Sequence, residues 1–437
     1  MKRLYIIFCF LGFLFSCKKE KEIFQTGSNE VINQWIWETM NSNYFWNQEL
    51  PKKEKSEQDP QAYFYSLLSK QDYYSTIIQN QNESTYGYSM ENTFGFDFIN
   101  YSSNNDEKNV VNLVVPGSSA DQLGLKRGDL LLTINQKNII KHKDPNFKGY
   151  FKSPSLQVLR SDGKIFQIPS ALVAQPVIYH SSVLQKNNRI YGYLYLSHFN
   201  FSGSYDLIKV VENFKVQGVN EIILDLRYNP GGQVSFAAFL SLLIAKLDSK
   251  AIFIKLKGNQ KIGQTEKTFD DILAQQPDGY TFKSDQLQNK GIGFSKLFIL
   301  CGSQTASAAE LIINNLKPYT EIISVGEPSM GKDMSSIVFR SPKEILNEGQ
   351  YSWLLQPLVY KLYNAQDQGD YNKGINPTFV VDEFSKLKLY PFGSTEDPLI
   401  QRVFNLGDGT KAQLSTQLIS LDEKKSGSNY WRIMEIK

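Results

Sequence analysis

From Ile190 onward, short apolar runs and amphipathic stretches take turns along the chain. "IYGYLYL" (190–196), "NEIILDLRYNPGG" (220–232), "KLFILCG" (296–302) and "EIISVGEP" (321–328) contain apolar runs of strand length. Between them stand "YDLIKVVENFKVQG" (205–218), "QVSFAAFLSLLIAKL" (233–247) and "SAAELIINNL" (307–316). The first of these carries Leu207, Ile208, Val211 and Phe214 at helical spacing. Such alternation implies βα units and a largely parallel sheet, because parallel neighbours need a crossover. In a parallel sheet the loops after the strands emerge at one edge, where open α/β sheets place their sites. The loops "LDLRYNPGG", "CGSQTASAAE" and "GEPSMGK" are then neighbours in space despite their separation in sequence.

The chain before Ile190 reads differently. "VINQWIWETMNSNYFW" (31–46) has Ile32, Trp35, Ile36 and Met40 on one helical stripe. "DPQAYFYSLLSK" (59–70) reads as a second helix, with Asp59 as N-cap and Pro60 at its first position. Residues from about 85 to 173 look β-rich: "TFGFDFINY" alternates, "VVNLVV" is a strand, and "PGSSADQLGLKRGDLLLTIN" follows. There "SSADQLG" reads as a short helix stopped by Gly124, and "GDLLLTIN" as a strand entered through Gly128 and Asp129. After "YSWLLQPLVY" the chain returns to strand-like segments, and "STEDPLIQRVFNLG" predicts a last helix.

With 437 residues the chain is long enough for two or three domains. It opens on Lys2 and Arg3, then an apolar run from Leu4 to Phe15, short of the ~20 residues that span a bilayer. The run ends "LFSC", which resembles a bacterial lipobox, so Cys17 is the expected lipidated residue and new N-terminus. Residues 1–16 are then a signal peptide, 17–29 a tether, and the protein belongs on the cell envelope. Removing Lys2 and Arg3 leaves 45 basic against 44 acidic residues, a balance that gives no general argument for nucleic-acid binding. Cys9, Cys17 and Cys301 are the three cysteines. Cys9 leaves with the leader and Cys17 carries lipid, so no disulfide framework is expected. His142, His180 and His198 lack ligand spacing, so no metal and no cofactor is expected.

Ser307 is the candidate nucleophile. It stands where a strand gives way to a helix, and the N–H of Ala308 at the helix start has no acceptor within the helix. A helix N-terminus also favours the charge of a developing oxyanion. Gly231 and Gly232 carry no Cβ, so a second backbone N–H can approach. Small neighbours at Ala306, Ala308 and Ala309 leave room for a substrate backbone. A serine hydroxyl needs a base. Lys332 follows the next strand, behind Gly326 and Gly331, and an amine serves as base only when uncharged, which calls for an apolar, closed pocket. His198 follows "YLYL" at the same edge and is the other candidate.

"LDLRYNPGG", "TASAAE" and "VGEPSMGK", in this order, resemble the C-terminal processing peptidases of family S41, Ser–Lys proteases with a PDZ domain before the catalytic core. The resemblance covers about residues 82 to 382, including "KGINPTFVVDE", and the Trp-rich start and lipobox are similar to the lipoprotein branch of Bacteroidetes-type bacteria. The family's serine matches Ser307, and its lysine matches Lys332, 25 residues later. Gly117, Ser118, Ala120, Gly124, Leu125, Gly128, Asp129, Ile134 and Asn135 match the recurring PDZ pattern. A PDZ domain takes a peptide as an added strand and holds its terminal carboxylate on backbone N–H groups, which the resemblance assigns to Phe94, Gly95 and Phe96. The implied fold is multidomain. A small helical N-terminal domain (30–80) and a β-rich PDZ domain (82–173) precede an α/β protease core of crotonase/ClpP-like βαβ type (174–395). A helical or strand extension (396–437) follows.

One position departs from the family. Many members carry Gln four residues after the lysine, orienting the dyad, and here Ser336 stands there with a shorter reach. Three readings follow. The first is an envelope serine endopeptidase acting on unfolded or C-terminally tagged polypeptides. The second is a lipoprotein that binds peptides without cutting them, which the missing Gln motivates. The third is another acyl-transfer enzyme that uses His198.

Overall fold

The computed structural model describes residues 26–79, 89–103, 106–138, 147–384 and 388–407. The expected leader, tether and Cys17, together with His142 and residues 408–437, lie outside them. No helix among the described residues is long and apolar enough to cross a membrane.

The described residues begin with α1 (Asn29–Asn43) and α2 (Pro60–Ser66), then a short strand, β1 (Thr76–Gln79). Ser28 caps α1, and the Asp59 carboxylate accepts from the N–H groups of Gln61 and Ala62 behind Pro60. Ile32, Ile36 and Met40 bury their side chains, while Trp35 lies partly exposed at the margin. The sequence suggests a small helical N-terminal unit. In the structure its core takes in Trp353 and Leu355 from far along the chain. Two short helices and a four-residue strand bury too little apolar surface to stand alone.

Next come α3 (Met90–Phe94), β2 (Phe96–Ser103), β3 (Asp106–Val114), α4 (Ser119–Gln122), β4 (Leu130–Ile134), β5 (Ser155–Arg160) and β6 (Ile165–Pro169). The five strands pair antiparallel in chain order. They close over Phe94, Phe96, Phe98, Leu125, Leu156 and Phe166.

The α/β core contains β7 (Ile178–Lys186), β8 (Arg189–Leu196), α5 (Ser204–Val216), β9 (Glu221–Asp225) and α6 (Val234–Ile244). There follow β10 (Ile252–Lys257), β11 (Gln264–Thr268), α7 (Phe269–Leu273), α8 (Ser284–Lys290), β12 (Lys296–Cys301), α9 (Ala308–Asn315) and β13 (Glu321–Gly326). The chain ends through β14 (Met334–Ser336), β15 (Phe339–Arg340), β16 (Trp353–Gln356), β17 (Leu358–Tyr363), β18 (Phe379–Val380) and α10 (Pro398–Gly407). One sheet has the order β18-β13-β12-β9-β8-β7, parallel except for β7. Its two faces follow the strand period of two. Leu194 and Leu196 of β8 and Leu297 and Ile299 of β12 face the layer of α5, α6 and α9. Tyr191, Tyr193 and Tyr195 of β8 and Phe298 and Leu300 of β12 pack with Leu399 and Val403 of α10. Leu207, Ile208, Val211 and Phe214 of α5 are all buried.

Register fixes the functional edge. Leu300 pairs with Asp225 and Cys301 with Gly326, so β9, β12 and β13 end side by side. The strands β11-β10-β17-β14 form a second, antiparallel sheet, and β1-β16-β15 a third. The chain leaving β13 at Gly326 passes Lys332 and enters β14 at Met334.

Candidate active site

The three loops at this edge are stitched to one another. Thr305 Oγ1 donates to the Leu226 carbonyl at 2.7 Å, and the Ala306 N–H donates to the Asn229 carbonyl at 3.0 Å. The Met330 N–H donates to the Thr305 carbonyl at 2.9 Å. Gly231 lies so close that a Cβ built on it would sit 2.7 Å from the Ala308 nitrogen and 3.0 Å from Ser307 Cβ. Only a residue without a side chain fits there. Gly232 is equally confined, because its Cβ would lie 2.3 Å from the Phe199 carbonyl oxygen, and its φ is +131°.

Ser307 caps α9 with φ +53° and ψ −122°, a conformation that costs a non-glycine residue of order 1–3 kcal/mol. Its surroundings hold it there. The Ser307 N–H donates to Glu310 Oε2 at 2.9 Å, one turn into the helix. The same oxygen accepts the Lys332 N–H at 2.8 Å. Glu310 Oε1 accepts the Ser329 hydroxyl at 2.5 Å and the Gly331 N–H at 2.7 Å. One buried carboxylate thus clamps the loop of the candidate nucleophile to the loop of the candidate base. Burial pushes the Glu310 acid up to about 7 against the pull of these four hydrogen bonds. The sequence carries this pairing as Ser-x-x-Glu at a helix start, the capping-box spacing, which by itself marks a helix start and not a link between two loops.

The candidate oxyanion donors separate on inspection. The Gly231 N–H donates to Asn229 Oδ1 at 2.7 Å, within its own turn. Phe199 bridges to Gly232 through the Gly231 carbonyl and the Gln233 N–H, so the N–H of Gly232 points to the other side of that bridge. Of the three candidate donors the Gly231 N–H thus already has an acceptor, and Gly231 is packed closely against Ser307 and Ala308.

Lys332 is 6% exposed, and its Nζ lies 5.5 Å from the ring centroid of Tyr74, which comes from the N-terminal unit. Ser336 Oγ accepts a hydrogen bond from Gln356 Nε2 at 3.0 Å. His198 precedes Phe199, which bridges to Gly232. Its Nδ1 is 2.8 Å from Ser197 Oγ, and burial pushes the imidazole down to about 4. Among the described residues no group of three or more His, Cys, Asp or Glu side chains could hold a metal ion.

A buried charge network underlies the loop of Gly231 and Gly232. Arg227 is 2% exposed and donates to Asp225, to Glu383 at 2.7 Å and to Asp397 at 2.9 Å. Arg127, in the loop before β4, bonds the same Glu383 and reaches the Tyr228 hydroxyl at 3.2 Å. The five-stranded domain is thereby joined to the segment that carries Gly231 and Gly232. Phe94 and Phe96 are buried, and Gly95 ends α3 at φ +81° against Ser118. The Gly95 N–H donates to the Glu91 carbonyl and its own carbonyl accepts from Val115, so both of its backbone groups already have partners.

Comparison with known proteins adds the following. Residues 190–381 match the family model described as peptidase family S41. Residues 31–76 match that of the peptidase S41 N-terminal domain, and residues 110–155 that of a PDZ domain. A Staphylococcus aureus protein named as a CtpA-like serine protease is 23% identical over 394 residues, which cover 89% of this chain and 70% of that one. A carboxyl-terminal-processing protease of a Picosynechococcus strain is 24% identical over 252 residues, 54% of each chain. The crystal structure of a Bacteroides fragilis protein described as an S41 protease superposes with a TM-score of 0.67. It is 24% identical and covers 86% of this chain and 98% of that one, a likeness of fold.

Proposed function

The chain belongs to peptidase family S41 and is a serine-type protease with a PDZ domain, and from that premise we propose that it is an endopeptidase of the bacterial cell envelope working through Ser307 and Lys332. The observation that carries this reading is the shared anchor. The backbone nitrogens of Ser307 and Lys332 lie 2.9 and 2.8 Å from one carboxylate oxygen of Glu310, at the edge where Gly231 meets Ser307.

Ser307 Oγ attacks the peptide carbonyl while the uncharged Lys332 amine takes the hydroxyl proton. The N–H groups of Ala308 and Gly232 receive the oxyanion. As the intermediate collapses the C–N bond breaks, and the lysine ammonium gives its proton to the leaving amine. Water, deprotonated by the same amine, then attacks the Ser307 ester; as the ester C–O bond breaks, the lysine ammonium returns the proton to Ser307 Oγ and the new carboxyl terminus is freed. The PDZ domain captures a polypeptide, by its C-terminus or an unfolded stretch, and the name of the Picosynechococcus relative supports the first of these. Lipidation at Cys17 ties the enzyme to the outer membrane, on its periplasmic or surface face.

The test is digestion of casein and of peptides with a free C-terminus by the full-length protein and by Ser307→Ala and Lys332→Ala. Both variants are expected to stay folded and to lose at least about 10³-fold in kcat, in line with removal of a nucleophile or its base. A fluorophosphonate is expected to label Ser307 in the wild type. Equal cutting by wild type and Lys332→Ala refutes the dyad, and equal cutting by Ser307→Ala refutes the serine mechanism.

A further inference from the structure

Family resemblance leads one to expect a glutamine four residues after the lysine, and Ser336 stands there instead. The structure brings a glutamine to that spot from elsewhere. Gln356, the last residue of β16, donates through Nε2 to Ser336 Oγ at 3.0 Å. A bulge between Ser335 and Ser336 interrupts the pairing of β14 with β17, and bulges of this kind re-aim a side chain. Gln356 is 8% exposed, and its Oε1 is buried without a hydrogen-bond partner among the described residues. A buried carbonyl left without a donor is costly, so an acceptor kept in this state calls for a purpose.

Its surroundings supply one. Gln356 pairs directly with Thr76 of β1, and cross-strand partners share a face. Two residues before Thr76, Tyr74 lays its ring beside the Lys332 amine. Ser75 Oγ accepts the Leu358 N–H at 2.8 Å, which locks β1 onto the start of β17. Gln356 thus joins Ser336 to the N-terminal strand, whose Tyr74 lies beside the Lys332 amine.

We propose that Gln356 is the positioning residue for the Lys332 amine, filling from β16 the place left by Ser336. This rests on the reading of Ser307 as nucleophile and Lys332 as base. A neutral amine has two N–H donors and one lone pair. For the lone pair to face the serine hydroxyl, the N–H groups must find acceptors elsewhere, and the amine can serve Gln356 Oε1 beside its other contacts. An amide carbonyl suits this task because it orients the amine without adding a charge that favours the ammonium. A carboxylate would add that charge. The other ionisable groups that the described residues place against Lys332 and its loop are Glu310, Asp333 with its partner Lys361, Tyr74 and Tyr371.

The experiment compares Gln356→Met, Gln356→Glu and the double variant Gln356→Met with Ser336→Gln, in the full-length protein with casein and a peptide substrate. Gln356→Met is expected to lose roughly 10- to 100-fold in kcat with KM within about twofold, the mark of a group that aligns a reacting atom. Gln356→Glu, which keeps size and shape, is expected to move the rising limb of the kcat/KM profile upward by about 1–2 pH units. Ser336→Gln is expected to recover most of the loss in the Met background. A Gln356→Glu limb that coincides with the wild-type limb overturns the proposal, whether or not Gln356→Met folds. Ser307→Ala run in parallel keeps the two readings apart. If it still cuts, the dyad reading fails; if it is dead and the Gln356 variants match wild type, only the glutamine assignment fails.

Discussion

Replacing Glu310 with Gln tests the clamp between the two catalytic loops. The carboxylate receives three backbone N–H groups and one hydroxyl. A glutamine amide in the same place has one oxygen and one NH2. Turned with its NH2 toward Ser307 and Lys332, it would strand two N–H donors. Turned the other way it keeps both on its carbonyl, but the Gly331 N–H and the hydroxyl proton of Ser329, whose oxygen already accepts the Ile375 N–H at 2.7 Å, lose their shared acceptor. The second arrangement is favoured because the hydroxyl can rotate while a backbone N–H cannot, and the fixed Gly331 donor alone costs about 1–3 kcal/mol. Felt as misalignment of the dyad, that corresponds to roughly 5- to 150-fold in kcat/KM.

The pH dependence gives a second reading. Burial raises the folded-state value of Glu310 from 4.5 to about 7. For an acid raised in this way, the associated stability is fully present below the unfolded value and is lost as pH rises through about 7. The difference is worth on the order of 3 kcal/mol. Gln does not titrate, so Glu310→Gln should be most destabilised relative to wild type below pH 4.5 and least so above 7. Ionised Glu310 holds the loops by charge-assisted bonds, so wild-type activity should gain a limb near 7 that the variant lacks. The assays are kcat/KM from about pH 5 to 9 on a peptide substrate, with thermal melts at matched pH. Full activity in Glu310→Gln, or a limb near 7 that survives the substitution, refutes the argument.

Gly232→Ala must hold φ near +131° and bring Cβ to 2.3 Å from the Phe199 oxygen, so it should lose at least ~2 kcal/mol and most activity, seen as a lower Tm and lower kcat. Arg227→Met leaves Asp225, Glu383 and Asp397 buried without their shared cation, a loss of about 3–5 kcal/mol in denaturant unfolding. Burial already raises Asp397, and losing the cation raises it further. Stability tied to a raised acid is present at low pH and lost as pH rises, so the defect should be larger at pH 8 than at pH 5, and equal defects at both would contradict this.

What could be read along the chain was set by local rules. Strand and helix alternation, the face of α5 and the cap at Asp59 depend on residues within a few positions of one another, and periodicity and spacing record them. The motif loops at Gly231, Ser307 and Lys332 were legible for the same reason. Each is a short stretch whose small residues answer to a turn or a close approach.

Sheet order and cross-chain contacts obey no such rule. Nothing in "TIIQ" says that β1 pairs with β16 rather than closing a helical unit of its own, because pairing partners are chosen by which apolar faces remain uncovered after collapse. Nothing in "WLLQ" announces that its last residue meets Ser336, and Arg127 gives no local sign of Glu383. The sequence by itself determined a parallel α/β core, a PDZ pattern before it and the residues at three loop ends. Only the tertiary structure decided that one Glu310 carboxylate joins two of those loops and that a distant strand brings Gln356 to Ser336. A side chain's partners across the fold depend on register and sheet order, and those are properties of the whole packed chain.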